Sequence, residues 1–96
     1  MPSHRWTLDG QRALVTGASA GIGLAICREL LGLGAQVLMV ARDADALEQA
    51  RADLEEEFPG PEDAVLALPA DVTDEEQRGE ILDWAADHGG LHILVN

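Results

Sequence analysis

Short runs of continuously apolar residues alternate along the chain with longer amphipathic segments. The four runs occupy residues 13–15, 37–40, 65–68 and 93–95. Continuous apolar character, without the alternation of a one-sided strand, is typical of strands covered on both faces in a parallel sheet. The pattern therefore predicts four buried parallel strands.

The segment after the first run has helical spacing. We predict a helix from about Gly21 to Leu33, ended by Gly34. Its apolar face is predicted to consist of Ile22, Ile26, Leu30 and Leu33. The lone Cys27 falls inside this pattern, so it is expected to be a small buried side chain with no disulfide partner in the chain.

Two further helices are predicted between the later runs. The second begins near Asp43 as its N-cap and stops at Pro59–Gly60. The third opens with a capping box formed by Thr73 and Glu76, and it closes at Gly89–Gly90.

The alternation of strands and helices predicts the fold class. The order βαβαβαβ, with right-handed crossovers, gives a doubly wound parallel sheet in an α/β domain. The chain shows no internal repeat, low-complexity tract or linker. One domain is therefore expected over residues 1–96, with residues 1–9 as an N-terminal tail.

The charge balance excludes several partners. The formal net charge is −12, and arginine is the only fixed cation. Such a chain could not replace the counterions around nucleic-acid phosphates, and it would not dock on an anionic membrane. The acidity fits either adaptation to high salt or an ordinary solvated surface, and both interpretations stay open.

Three other observations concern compartment and metal. No apolar run reaches the length of a membrane span, and the first nine residues lack the apolar stretch of a signal peptide. A cytoplasmic protein is therefore expected. The three histidines match no metal-site spacing, so no metal is expected.

A glycine-rich turn follows the first strand directly and opens the first helix. Its residues are Thr16, Gly17, Ala18, Ser19, Ala20, Gly21, Ile22 and Gly23. Glycines allow a tight turn and a close approach of backbone to a pyrophosphate. Free amides at the helix N-terminus, with the positive end of the helix dipole, favour a bound phosphate. The turn is a candidate phosphate site, although such turns also serve as simple connections.

The Thr-Gly-x3-Gly-Ile-Gly spacing of this turn resembles the motif of short-chain dehydrogenases/reductases. Asp71-Val72 resembles the family's adenine-contacting pair, and residues 91–96 resemble its fourth strand running into Asn-Asn-Ala-Gly, cut after the first Asn. Residues 5–10 are most similar to tropinone-reductase-like members. The resemblance covers the whole chain and implies a partial Rossmann fold with strand order 3-2-1-4, truncated after strand four.

The resemblance also implies a set of dinucleotide contacts. They are Thr16, Gly17, Ser19, Ala20, Gly21, Ile22, Gly23, Arg42, Asp71, Val72 and Asn96. Two of these residues have alternative roles. Ser19 could contact phosphate or only shape the turn, and Asp71 could contact adenine or cap the third helix.

The end of the second strand indicates which cofactor to expect. NAD-dependent members carry an acid there that accepts hydrogen bonds from the ribose 2′-hydroxyl. This chain has Ala41 followed by Arg42, and arginine can pair bidentately with a 2′-phosphate, so NADP(H) is favoured over NAD(H). Asp43 is an alternative ribose acid but is preferred as a helix cap. Ala20 stands where many NADP-using members carry a basic residue.

No catalytic residue can be assigned. The family uses a Tyr-x3-Lys motif, and the chain contains neither Tyr nor Lys. The first hypothesis is the cofactor-binding half of an NADP-dependent oxidoreductase of carbonyls or secondary alcohols. This half would be inactive alone, and the small-molecule substrate would bind only in a full-length parent. The alternative is a non-catalytic nucleotide-binding or assembly module that associates through the exposed edge of strand four, so a homo-oligomer is expected.

Overall fold

The computed structural model describes residues 8–61 and 63–95. Strands and helices alternate along this part of the chain, as the apolar pattern predicts. The elements are β1 (Arg12–Thr16), α1 (Gly21–Gly32), β2 (Gln36–Ala41), α2 (Ala44–Glu57), β3 (Val65–Pro69), α3 (Glu75–Asp87) and β4 (Ile93–Val95).

The four strands form one parallel sheet in the order β3-β2-β1-β4. Leu14 in β1 lies opposite Leu38 in β2 and Leu94 in β4, and Leu38 lies opposite Leu66 in β3. The predicted fold class and strand order are therefore confirmed.

Both faces of the two central strands are buried. Val15, Val37 and Met39 point toward α1 and α2, and none of them is exposed. Leu14 and Leu38 point toward α3 on the opposite face, where they are at most 2% exposed. Successive side chains of a strand alternate between faces, so a strand covered on both faces must be apolar at every position.

The predicted apolar face of α1 is wrong by about one residue. Ile22 is 81% exposed and Leu33 is 38% exposed, whereas Cys27 and Leu31 are the buried residues of this helix. Ile26 and Leu30 of the predicted face pack at the margin of the core. The burial of Cys27 is confirmed.

Gly23 explains why the buried face of α1 differs from the predicted face. A Cβ at this position would clash with the Gly17 carbonyl oxygen and lie 2.8 Å from its carbon, so the helix face that carries Gly23 lies against the turn. Residues at spacings of four share a helix face, so Cys27 and Leu31 follow Gly23 into the core. Ile22 precedes that face and points to solvent.

Helix α2 begins as the sequence predicts. Asp43 is its N-cap, and the carboxylate accepts a hydrogen bond from the Ala46 N–H at 3.0 Å. The helix ends at Glu57, just before Pro59 and Gly60.

The predicted capping box of α3 is wrong by one residue. Asp74, not Thr73, is the N-cap, and its carboxylate accepts from the Gln77 N–H at 3.1 Å. Thr73 is not available for this role because its hydroxyl donates to Asp71 Oδ1 at 2.6 Å.

The predicted N-terminal tail falls mostly outside the described residues. Within them, the Leu8 N–H donates to the Leu33 carbonyl oxygen at 2.7 Å, which links the start of the described chain to the end of α1. None of the helices in the described ranges is long and apolar enough to cross a membrane.

Gly23 in α1 and Gly79 in α3 give a matched stability test. Gly23→Ala should destabilise the fold by about 1–3 kcal/mol, because the new methyl group meets the Gly17 backbone. Gly79→Ala should be neutral or stabilising by up to about 1 kcal/mol, because nothing lies within 4 Å of its Cβ position and alanine favours helix. Urea unfolding measures both changes, and equal stability of the two variants would contradict the packing of α1.

Candidate functional site

The glycine-rich turn joins the carboxyl end of β1 to α1 in a left-handed backbone conformation at two points. Gly17 has φ +62° and Gly21 has φ +57°, and no atom lies within 4 Å of either Cβ position. Residues with side chains rarely adopt such φ values, so the backbone conformation itself requires glycine at both positions. The space above both residues stays open to a ligand.

The N-terminus of α1 has amides without helical partners. The N-cap Ala20 has no side chain that could accept them, and the first turn carries no acidic residue. The first hydrogen bond runs from the Leu24 N–H to the Ala20 carbonyl oxygen at 3.3 Å. Amides 21–23 therefore lack a carbonyl acceptor within the helix, and together with the helix dipole they favour an anion.

A cleft of about 330 Å³ opens beside this turn, at the carboxyl ends of β1, β2 and β3. Its lining brings together residues from three connections: Gly17, Ser19, Val40, Ala41, Arg42, Asp43, Ala70 and Val72. Ligands of open α/β sheets bind at the carboxyl ends of strands, so the cleft has the position expected of a binding site.

Arg42 supplies a positive charge at the wall of the cleft. Its side chain is exposed, and it belongs to none of the ion pairs formed among the described residues. The neighbouring Asp43 carboxylate accepts the amide of Ala46 as the cap of α2, which confirms its predicted capping role. The cation is thus more available to a ligand than the adjacent anion.

Val72 lines the cleft from the loop between β3 and α3, and Asp71 precedes it in that loop. Asp71 Oδ1 accepts both the N–H of Thr73 at 2.9 Å and its hydroxyl at 2.6 Å. The Thr73 hydroxyl, then the Thr73 amide, and more weakly the Arg42 charge hold the pKa of Asp71 below its ordinary value. The carboxylate therefore stays ionised near the cleft, and Asp71 does not cap α3.

Gln77 of α3 holds this loop, and the sequence analysis missed it. Its Oε1 accepts the Asp71 N–H at 2.8 Å, across six positions of the chain. The pattern Asp74-x-x-Gln77 has capping-box spacing and was the available signal. Thr73-x-x-Glu76 has the same spacing one residue earlier, so the spacing alone does not identify the cap.

The remaining predicted contacts lie along the turn or outside the described residues. The Thr16 hydroxyl donates to the Val95 carbonyl oxygen at 3.4 Å, which joins β1 to β4 at their carboxyl ends. Ile22 projects into solvent at the start of α1, and Gly23 packs against the turn. Asn96 lies outside the described residues.

The described part of the chain offers no reactive thiol and no metal site beside the cleft. Burial raises the pKa of the Cys27 thiol to about 11, so it stays protonated at neutral pH. No group of three or more histidine, cysteine or acidic residues suited to a metal occurs in residues 8–61 and 63–95. His92 Nδ1 accepts the Arg12 N–H at 2.9 Å, at the opposite end of the sheet.

Known proteins resemble the chain over almost its whole length. A family model described as short chain dehydrogenase matches residues 11–96. A chloroplastic tropinone reductase homologue of Arabidopsis thaliana is 42% identical over 97% of this chain, and human 15-hydroxyprostaglandin dehydrogenase [NAD(+)] is 40% identical over 93%. The L-sorbose reductase of Gluconobacter frateurii, solved with NADPH and L-sorbose, superposes with a TM-score of 0.85 and 36% identity over 94% of this chain.

These relatives are much longer than the 96 residues. The chain spans 28% of the tropinone reductase homologue, 33% of the prostaglandin dehydrogenase and 34% of the sorbose reductase. The similarity therefore concerns about a third of each relative.

The Thr73–Asp71 contact predicts a measurable titration. Since the Asp71 pKa is lowered below about 3.9, its ionised form stabilises the fold at neutral pH. This contribution is lost as the pH falls from about 4 through the lowered pKa. Thr73→Val, which removes the largest cause, should raise the Asp71 pKa more than Arg42→Gln does. NMR titration of the carboxyl carbon measures both.

Thr73→Ser is the control, because it keeps the hydroxyl and should keep the lowered pKa of Asp71. A Thr73→Val variant in which Asp71 titrates as in the unaltered chain would rule out the hydroxyl as the cause.

Proposed function

We propose, since the chain belongs to the short chain dehydrogenase family, that it binds a nicotinamide dinucleotide and prefers NADP(H) to NAD(H). The parent activity that we propose is oxidation of a secondary alcohol or reduction of a carbonyl. One observation carries this proposal: the amide-bearing turn, Arg42 and the Asp71–Val72 loop border the same cleft.

The shape of the cleft fits the parts of such a cofactor in order. Gly17 and Gly21 leave space for a pyrophosphate above the turn, and the amides of α1 point where its charge would lie. Val72 and Ala41 offer apolar walls for an adenine. The Asp71 carboxylate can accept a hydrogen bond from the exocyclic amino group of adenine.

The preference for NADP(H) rests on the charges at the end of β2. Ala41 supplies no acid for a ribose 2′-hydroxyl, and the Asp43 carboxylate is engaged as a helix cap. The Arg42 guanidinium can donate two parallel hydrogen bonds to a 2′-phosphate. The sorbose reductase solved with NADPH supports this preference, whereas the NAD(+)-named prostaglandin dehydrogenase shows that relatives of similar identity differ in cofactor.

We propose that these 96 residues bind the cofactor without transferring protons. A bound nicotinamide supplies the hydride, and the protein must position the substrate and manage its proton. Side chains that exchange a proton near neutral pH need a matched pKa. The chain contains no Tyr and no Lys, Cys27 is buried with a raised pKa, and neither His88 nor His92 lines the cleft. The cytoplasmic location of the protein stays a prediction.

A second candidate function is assembly through β4. Among the described strands, β4 pairs with β1 alone, so its other edge has unpaired backbone groups. Leu94 is 57% exposed and Leu82 of α3 is 59% exposed beside it. An apolar strand edge can pair with a strand of another chain, which supports the predicted homo-oligomer.

Calorimetric titration with NADP⁺ and NAD⁺ tests the first proposal. Arg42→Gln should weaken NADP⁺ binding by about 10–100-fold, because a charged hydrogen bond to the 2′-phosphate is lost. It should leave NAD⁺ binding nearly unchanged. Arg28→Gln is the matched control, since Arg28 forms an exposed ion pair with Glu57 of α2 and neither residue lines the cleft. Equal losses for both nucleotides in Arg42→Gln would contradict the assignment.

Sedimentation velocity over a range of concentrations tests the second candidate. The chain should associate as its concentration rises, and Leu94→Lys should shift it toward monomer, because a charge on an edge strand opposes pairing. Leu33→Lys, also at an exposed leucine, should leave the association unchanged. A monomer at every concentration would exclude assembly as a function of this surface.

A further inference from the structure

We propose that Gln77 is a positioning residue that sets base selectivity by holding the loop of Asp71, whose neighbours Ala70 and Val72 line the cleft. This inference rests on the proposed function, because it concerns the adenine end of the same dinucleotide site. It assigns no contact between Gln77 and the nucleotide. The glutamine acts through the backbone of the loop at residues 70–74.

The central contact joins the loop to the helix that follows it. The Gln77 side-chain oxygen accepts the Asp71 N–H at 2.8 Å, and the contact is half-buried. Asp71 lies directly after β3 and Ala70, whose N–H donates to the Ala41 carbonyl oxygen at 2.9 Å. Gln77 therefore fixes the point at which the chain leaves the sheet and turns toward the cleft.

This contact differs from an ordinary capping box. In a capping box, the third helical residue turns its side chain back to the N–H of the N-cap. Here the N-cap N–H, that of Asp74, donates to the Asp71 carbonyl oxygen at 3.1 Å. The Gln77 side chain passes the N-cap and reaches Asp71, while its own N–H donates to the Asp74 carboxylate. The glutamine thus holds the loop rather than the helix end.

The other hydrogen bonds hold the Asp71 carboxylate within the loop, and Gln77 ties the start of that loop to α3. Arg78 donates to the Val72 carbonyl oxygen at 2.9 Å, which holds the loop from the far side of Val72. Both hydrogen bonds from Thr73 fall on Asp71 Oδ1. Oδ2 is the carboxylate oxygen that remains for a ligand. Thr73 orients this carboxylate relative to the loop, and Gln77 holds the Asp71 backbone, and with it the loop, relative to α3.

A fixed carboxylate oxygen discriminates between purines. Adenine presents an exocyclic amino donor, whereas hypoxanthine presents a carbonyl oxygen at the same position, which a carboxylate repels. A loop held by Gln77 would keep Oδ2 in place and so favour adenine. A loosened loop would let the carboxylate move away from either base. Loss of Gln77 should therefore reduce selectivity for the base and leave recognition of the 2′-phosphate by Arg42 intact.

Hydrogen exchange of the ligand-free chain tests the contact itself. Gln77→Met keeps the length of the side chain and removes the amide oxygen, so exchange of the Asp71 amide should become at least about tenfold faster. Gln77→Glu keeps an acceptor oxygen and should preserve protection. Gln49→Met, at a helical glutamine that donates to Asp53 on α2, should leave the Asp71 amide unchanged. Gln77→Asn, too short to reach Asp71, repeats the test if the methionine variant does not fold.

Calorimetry with NADP⁺ and its hypoxanthine analogue tests the consequence. The unaltered chain should bind NADP⁺ about tenfold more tightly than the analogue, as one hydrogen bond to a charged group allows. In Gln77→Met this ratio should fall to about twofold, whereas Gln49→Met should keep it. Gln77→Glu should keep the ratio even if its added charge weakens both ligands equally.

The outcomes separate this inference from the proposed function. If the unaltered chain binds neither dinucleotide, the proposed function fails and the positioning role fails with it. If it binds NADP⁺ and Gln77→Met keeps the tenfold ratio, only the positioning role is overturned, even where the Asp71 amide exchanges faster. Faster exchange together with a reduced ratio supports the role of Gln77.

Discussion

The packing of Gly23 against the Gly17 carbonyl group determines how the rest of the chain is arranged. No side chain fits between α1 and the turn at this point. The helix can therefore lie close to the sheet, with Cys27 and Leu31 directed into the core. The same close approach brings the N-terminal amides of α1 to the carboxyl ends of the strands, where the cleft opens. One backbone contact thus sets both the core and the candidate anion site.

An anion site in so acidic a chain needs local positive potential. The formal charge of −12 opposes any phosphate at long range, but salt screens exposed charges beyond about 10 Å. At the cleft, the amides of α1 and the guanidinium of Arg42 supply positive potential. The two neighbouring carboxylates, Asp43 and Asp71, already accept hydrogen bonds from amides of the chain itself. The local environment can therefore favour a phosphate that the whole surface repels.

The fold could be predicted from the sequence because each central strand is covered on both faces. A strand of this kind needs an apolar residue at nearly every position, which produces the continuous runs of Val, Leu, Ile and Ala. The details that failed depend on contacts between distant parts. The face of α1 depends on the Gly17–Gly23 packing, and no count of apolar spacing contains it. The cap of α3 depends on the hydrogen bond from the Thr73 hydroxyl to Asp71, which leaves Asp74 as the N-cap. Gln77 can accept the Asp71 N–H only once that loop is folded. Apolar runs predict the burial of the strands, but the buried face of α1 and the competition between polar side chains depend on the folded structure.

Strand β4 shows the limit of inferring burial from apolar character. Its residues are as apolar as those of β1 and β2, yet Leu94 is 57% exposed while Leu14, its neighbour in register, is 2% exposed. The difference arises because α3 packs on β1 and β2 through Ile81 and Ala85, and its coverage of this face ends at Leu82. An apolar strand predicts that something covers it, without saying what. For β4 the described residues supply that cover on the α1 side, where Val95 packs against the core, and leave Leu94 largely exposed on the α3 side.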